Sequence, residues 1–159
     1  MNPGIRPAHL LEHVIRPTLG VIGLESEAAE QLLLGTAAVE SRLGSYLVQV
    51  GGPALGIYQI EPATHRDVWE SWLNYKKPLA DRVRLTMTQG GIADEMLVGN
   101  LCYATAIARV IYRRRKEPLP QAGDLFGLAA YWKAHYNTHA GKGRIEDFVT
   151  TYRRMVLDS

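Results

Sequence analysis

The stretch TAAVESRLG, residues 36 to 44, holds one carboxylate, Glu40, at the end of an otherwise apolar run. Glu40 falls three residues after Ala37 and seven after Leu33, so helical spacing puts it on the apolar face, at the C-terminal end of its helix. Desolvation and the negative end of the helix dipole both disfavour the ionised form. A carboxyl that keeps its proton near neutral pH is what a general acid must be. The same spacing also fits a frayed helix end, where Glu40 points to water or meets Arg42.

A second stretch, GPALGIYQIEPATH at residues 52 to 65, spends a turn and a further glycine to deliver Ile57-Tyr58-Gln59-Ile60 onto a proline-started helix. Gly56 lets backbone come close to a ligand without a Cβ. Gln59 offers both a donor and an acceptor, suited to a sugar hydroxyl or acetamide. Pro62 fits the first position of a helix and would pin the strip. An acid beside fixed hydrogen-bonding groups is the equipment for cleaving a glycosidic bond.

ES at 40–41 followed by G-I-Y-Q-I-E-P-A-T at 56–64 resembles the E-S and G-L-M-Q-I-x-P-A-T motifs of lytic transglycosylases and goose-type lysozymes. The third motif of those families, A-A-Y-N, is approximated by LAAYWKAHYN at 128–137. The resemblance spans about residues 25 to 141 and is carried by the first two motifs. It implies a mainly α, lysozyme-like domain that cleaves peptidoglycan between N-acetylmuramic acid and N-acetylglucosamine, without a cofactor. It implies Glu40 as general acid, Gln59 as a contact to substrate or acid, Ser41 as a positioning group, and Tyr131 beside the catalytic carboxyl. Two departures stand out. Tyr58 replaces the usual Met and either stacks on a sugar or packs. Trp132 stands where the family has Asn, and its spacing with Leu128, Ala129 and Tyr136 favours core over sugar platform.

With a single carboxylate, the substrate's own 6-hydroxyl attacks and leaves a 1,6-anhydromuramyl end, the lytic transglycosylase route. An inverting hydrolase needs a second carboxylate about 6.5–9.5 Å away to activate water. Glu61 stands where goose-type lysozymes carry Asp, although a charge just before Pro62 also complements a helix N-terminus. The I-x-P-A-T continuation favours the lyase. Asn100 precedes a buried helical stripe and either lines the groove from the opposite side or is satisfied by backbone. Trp69 and Trp72 fit core or rim.

Other classes remain open. His9-Leu10-Leu11-Glu12-His13 matches the H-x-x-E-H pattern of inverted zinc peptidases, but on a short segment bracketed by Pro7 and Pro17. His135 and His139 share the same spacing close to Gly141 and Gly143 and read as loop residues, so no metal is expected. A non-catalytic, murein-binding or structural virion module fits the fold without the chemistry. Cys102, alone, reads as a small core residue.

Net charge is +2, too small to argue for nucleic acid. Residues 1–80 hold six Lys/Arg against eight Asp/Glu, and residues 81–159 twelve against eight. Much of that excess is Arg113-Arg114-Arg115-Lys116, which fits either a contact to an anionic polymer or a solvated helix C-terminus. No apolar run is long enough to span a membrane, and MNPGIRPAHLLEH does not read as a signal peptide. Leaderless murein-cleaving domains of this kind resemble those of tailed bacteriophages. The partners implied are peptidoglycan glycan strands and other virion proteins, with delivery to the bacterial periplasm or cell wall by a virion or at lysis.

The elements that must position these groups read as one helical domain. Helices are expected over about 8–15, stopped by Pro17; from Ser26 to near Gly44; from Pro62 to about Leu73; within 77–88; over about 93–115; from Asp124 to about Tyr136; and through Ile145–Val156. A small extended or β element is expected near residues 45–60, from YLVQVGG.

Overall fold

The computed structural model describes residues 4–138 and 141–158. They form a mainly α-helical assembly: α1 (Pro7–Leu10), α2 (Arg16–Ile22), α3 (Glu27–Ser41), α4 (Pro62–Ser71), α5 (Lys77–Arg84), α6 (Met96–Gly99), α7 (Leu101–Arg113), α8 (Leu125–Trp132) and α9 (Ile145–Tyr152). Wider π turns, Leu11–Ile15, Lys133–Asn137 and Arg153–Leu157, join α1 to α2 and extend α8 and α9.

Helix α3 is the central post. Ser26 caps it, its Oγ accepting the Ala29 N–H at 3.0 Å, with Glu27 and Glu30 in the positively polarised first turn. Leu32, Leu33, Ala37 and Ala38 are fully buried. Gly35 allows α9 to approach closely: a Cβ there would sit 2.1 Å from the Phe148 ring. Phe148 is itself fully buried, worth about 1.5–3 kcal/mol in apolar transfer. Helix α7 packs on the opposite side, with Ala104, Ile107, Ala108 and Ile111 inside as their spacing requires. Where Thr36 points into this core, the Tyr112 hydroxyl meets it at 2.7 Å, while Thr36 itself donates to the Leu32 carbonyl.

Several boundaries differ from the sequence reading. The first helical segment does not stop at Pro17 but runs to Ile22. The π turn ahead of it supplies the i−5 bond from the Arg16 N–H to the Leu11 carbonyl, which absorbs the proline's missing donor and ring clash. The helix expected over 93–115 is divided. Asn100 has extended backbone and acts as an N-cap, its Oδ1 accepting from the Tyr103 N–H at 2.9 Å.

The β element expected near 45–60 is absent: no strand occurs among the described residues. The segment carries only two isolated antiparallel bridges, Val48 with Leu55 and Leu55 with Ile60. Turns at Gly51-Gly52 and Gly56 bring the chain back on itself before a ladder can extend. Cys102 is free and partly rather than fully buried. Trp69 is buried and Trp72 partly so. No helix among the described residues is long and apolar enough to cross a membrane.

Candidate functional site

Helix α3 ends abruptly after Glu40-Ser41. Arg42 and Leu43 both adopt left-handed backbone, at φ 53° and 56°, without being glycine. Each such residue costs about 1–2 kcal/mol. The turn is held by closing bonds: the Leu43 N–H donates to the Ala37 carbonyl at 3.0 Å, and the Gly44 N–H donates to Ser41 Oγ at 2.9 Å. Leu43 is fully buried, and its carbonyl accepts the Ile5 N–H at 2.7 Å. The strained turn leaves Glu40 at the lip of the helix, facing a cleft.

Ser41 fixes the opposite wall. Its hydroxyl donates to the Ile57 carbonyl at 2.6 Å, hooking the 56–60 strip to the end of α3. The Tyr136 hydroxyl holds the same strip from the other side, donating to the Tyr58 carbonyl at 2.6 Å. Gly56 has φ 82°, and a Cβ would sit 1.8 Å from the Leu97 carbonyl oxygen. That close approach to α6 sets the depth of the strip. Gln59, at φ 50°, turns back so that its Nε2 donates to the Gly56 carbonyl at 2.9 Å. Its side-chain oxygen stays available as an acceptor.

The cleft between these walls has a volume of about 960 Å³ and is lined by Glu40, Tyr46, Gln59, Glu61, Trp132 and Tyr136, among others. This lies at the large end of the range for ligand clefts, about 300–1,000 Å³. Glu40 is partly buried. Desolvation raises its carboxyl from an ordinary 4.5 to about 7, and the hydrogen bond from Trp132 Nε1 to Oε2, 3.1 Å, opposes the rise. Burial therefore wins over the one donor that stabilises the charge. The Tyr46 hydroxyl donates to the Glu40 backbone carbonyl at 2.6 Å and fastens that ring beside the acid.

Glu40, Gln59 and Glu61 all line this one cleft. The other candidates, Ser41, Gly56, Tyr58, Asn100 and Tyr131, do not line the cleft. Ser41 is fully buried and acts on the strip. Gly56 is required by the close approach of the Leu97 carbonyl. Tyr58 is fully buried; Thr105 Oγ1 donates to the Leu101 carbonyl, so the Tyr58 hydroxyl donates to Thr105 at 2.8 Å. Its apolar body and one hydroxyl are consumed by packing against α7. Asn100 spends its amide on the Tyr103 N–H and, through Nδ2, on the Thr86 carbonyl at 2.9 Å, and does not line the cleft. Tyr131 turns away, donating to the Glu117 carbonyl at 2.9 Å.

The residue beside the acid is instead Trp132, one position along. It is buried, as its spacing predicts, yet its indole N–H reaches the carboxyl, so core and site coincide. Tyr136, one helical turn on, shares that face, and its ring stacks on Tyr112 at 5.2 Å. The repeat of aromatics at 132 and 136 was the available signal. Nothing in the sequence marked Tyr46 or Gln49, which reach the cleft through the irregular arm.

The cleft's cations are Arg42, Arg114, Arg115 and Lys142. Arg114 is tied to Asp67 on α4 at 2.8 Å. His135 also lines the cleft, against Glu117 at 3.9 Å, while His139 lies outside the described residues. His9 and His13 are exposed, with ring centroids 6.0 Å apart, and among the described residues no group of three or more metal-ligating side chains is assembled. Comparison with protein-family models, curated proteins and solved structures gave no match to this chain.

Proposed function

We propose that the protein cleaves the glycosidic bond between N-acetylmuramic acid and N-acetylglucosamine in peptidoglycan, with Glu40 as the single catalytic acid and base. The observation that carries this reading is the Glu40 carboxyl, lifted to about 7 by burial while it opens on a large cleft facing Gln59. The E-S and G-I-Y-Q-I-E-P-A-T resemblance to lytic transglycosylases points the same way. In this reaction Glu40 donates its proton to the glycosidic oxygen as the C1–O bond breaks. The muramyl 6-hydroxyl then attacks C1, its proton passes to the Glu40 carboxylate, and a 1,6-anhydro ring closes. The acid is regenerated without water entering the balance.

A hydrolytic second reading is favoured by one observation: Glu61, exposed at the N-terminus of α4, lines the same cleft as Glu40. There it would activate a water for inverting attack. Digestion of purified murein followed by mass spectrometry separates the outcomes. Anhydro ends, lost in Glu40→Gln, support the lyase. Reducing ends, lost also in Glu61→Gln, support the hydrolase. Binding of murein with neither product would replace both with a non-catalytic, structural or wall-binding module, the reading in which a virion component is the natural setting.

A further inference from the structure

Three features lie outside the chemistry just described. The His65 imidazole, buried between Asp94 and Tyr103 with Trp69 donating to the same tyrosine, forms a closed network that pins the 86–95 loop and does not line the cleft. The exposed apolar tip at Val48 and Val50 has nothing seated on it. The third feature is the set of cations around the cleft, and it carries an inference.

Arg42 follows the acid-bearing helix directly, and Arg115 follows α7; both side chains reach the cleft. Neither has a carboxylate within ion-pair distance among the described residues; Arg114 is bonded to Asp67, whose charge Arg115 meets only from farther off. Four Arg and Lys side chains line the cleft against three carboxylates, Glu40, Glu61 and Asp147. Two of those carboxylates are not free to balance the cations. Glu40 holds its proton up to about pH 7, and Asp147 Oδ1 already faces the Arg144 guanidinium at 3.9 Å. A cleft for a neutral sugar chain has no use for unpaired guanidinium groups, which are planar forks suited to carboxylates. Arg113 and Lys116, in the same basic run, do not line the cleft, so the run divides into cleft-facing and solvent-facing members.

We propose that Arg115 and Arg42 select glycan strands whose peptide branches carry free carboxylates. This rests on the glycan-cleaving reading and adds the substrate form that the cleft prefers: peptide-bearing strands over strands in which those carboxyls are neutral. The cations act on binding, without touching the scissile bond.

The experiment uses the full chain as Glu40→Gln, so that nothing is turned over, and follows Trp fluorescence on titration. The probes are soluble peptide-bearing glycan fragments, the same fragments with their carboxyls capped as methylamides, and amidase-stripped strands, whose only carboxylate is the lactyl group. Each exposed arginine–carboxylate contact is worth about 0.2–1 kcal/mol, so Arg115→Gln or Arg42→Gln is expected to weaken peptide-bearing fragments about 1.4- to fivefold. The double variant should weaken them by roughly the product of the two effects. Capped fragments should bind the parent and the variants alike, and Lys116→Gln should change nothing.

Equal binding of capped and uncapped fragments by the parent, or equal losses on both in the arginine variants, overturns the proposal. So does an Arg115-dependent preference for the stripped strands, which would move recognition to the lactyl group. Failure of the cleavage reading shows separately, as absence of any murein product from the unsubstituted protein. If Glu40→Gln also binds none of the three probes, both readings fall.

Discussion

Replacing Glu40 by Gln tests the acid through folding as well as through catalysis. The carboxyl sits at an ordinary 4.5 in the unfolded chain and about 7 in the folded one. A raised folded-state pKa means that the native state holds the proton more tightly. The stabilisation is therefore complete below about pH 4.5 and is lost as pH rises through about 7. At about 1.36 kcal/mol per pH unit, that separation corresponds to roughly 3.4 kcal/mol. Glu40 keeps some contact with cleft water, which brings the expected figure to about 2–3 kcal/mol. Gln has the same shape and can still accept the Trp132 N–H, but it never ionises. Relative to the native chain, Glu40→Gln should therefore gain about 2–3 kcal/mol between pH 4 and pH 9. In urea unfolding this is a relative midpoint shift of about 1–2 M, gained on the alkaline side. Murein cleavage should vanish in the same variant at every pH. A stability difference independent of pH would refute the reasoning, because the carboxyl would then be no better a proton store than an exposed one.

Trp132→Phe removes the only side-chain donor among the described residues that favours the Glu40 carboxylate. The alkaline limb of murein cleavage, where the acid loses its proton, should move up by about one pH unit, as read from initial rates between pH 5 and 9. Ser41→Ala leaves the Ile57 carbonyl and Gly44 N–H without their shared partner and should cost about 1–3 kcal/mol in urea unfolding, with a loss of kcat as the strip loosens. Gly56→Ala forces a Cβ against the Leu97 carbonyl at a left-handed position and should destabilise by about 3 kcal/mol or more, measured by thermal unfolding.

The two stretches of sequence around Glu40 and Gln59 were legible because their signals are local. Ser26 as a cap, the Leu33–Ala37–Glu40 spacing and Pro62 as a helix start each depend on residues within two turns, and each is found in the fold. Periodicity also placed Trp132, Ile107 and Phe148 inside. The resemblance gave Ser41 a positioning role and set Tyr131 beside the acid; in the fold Ser41 bonds the Ile57 carbonyl, and Tyr131 bonds the Glu117 carbonyl while Trp132 meets the carboxyl.

Sequence alone singled out Glu40, since a charge on an apolar face at the negative end of a helix is disfavoured wherever that helix packs, but it left a frayed helix end as the alternative. Only the tertiary structure decided what surrounds it. The Trp132 N–H, the Tyr46 ring and the Arg115 side chain arrive from segments separated from Glu40 by 92 residues, by a strained turn, and by four helices, respectively. Local propensity fixes the face a side chain takes on its own helix. Which neighbour meets that face depends on how the helices pack, and that is settled by burial of the whole core at once.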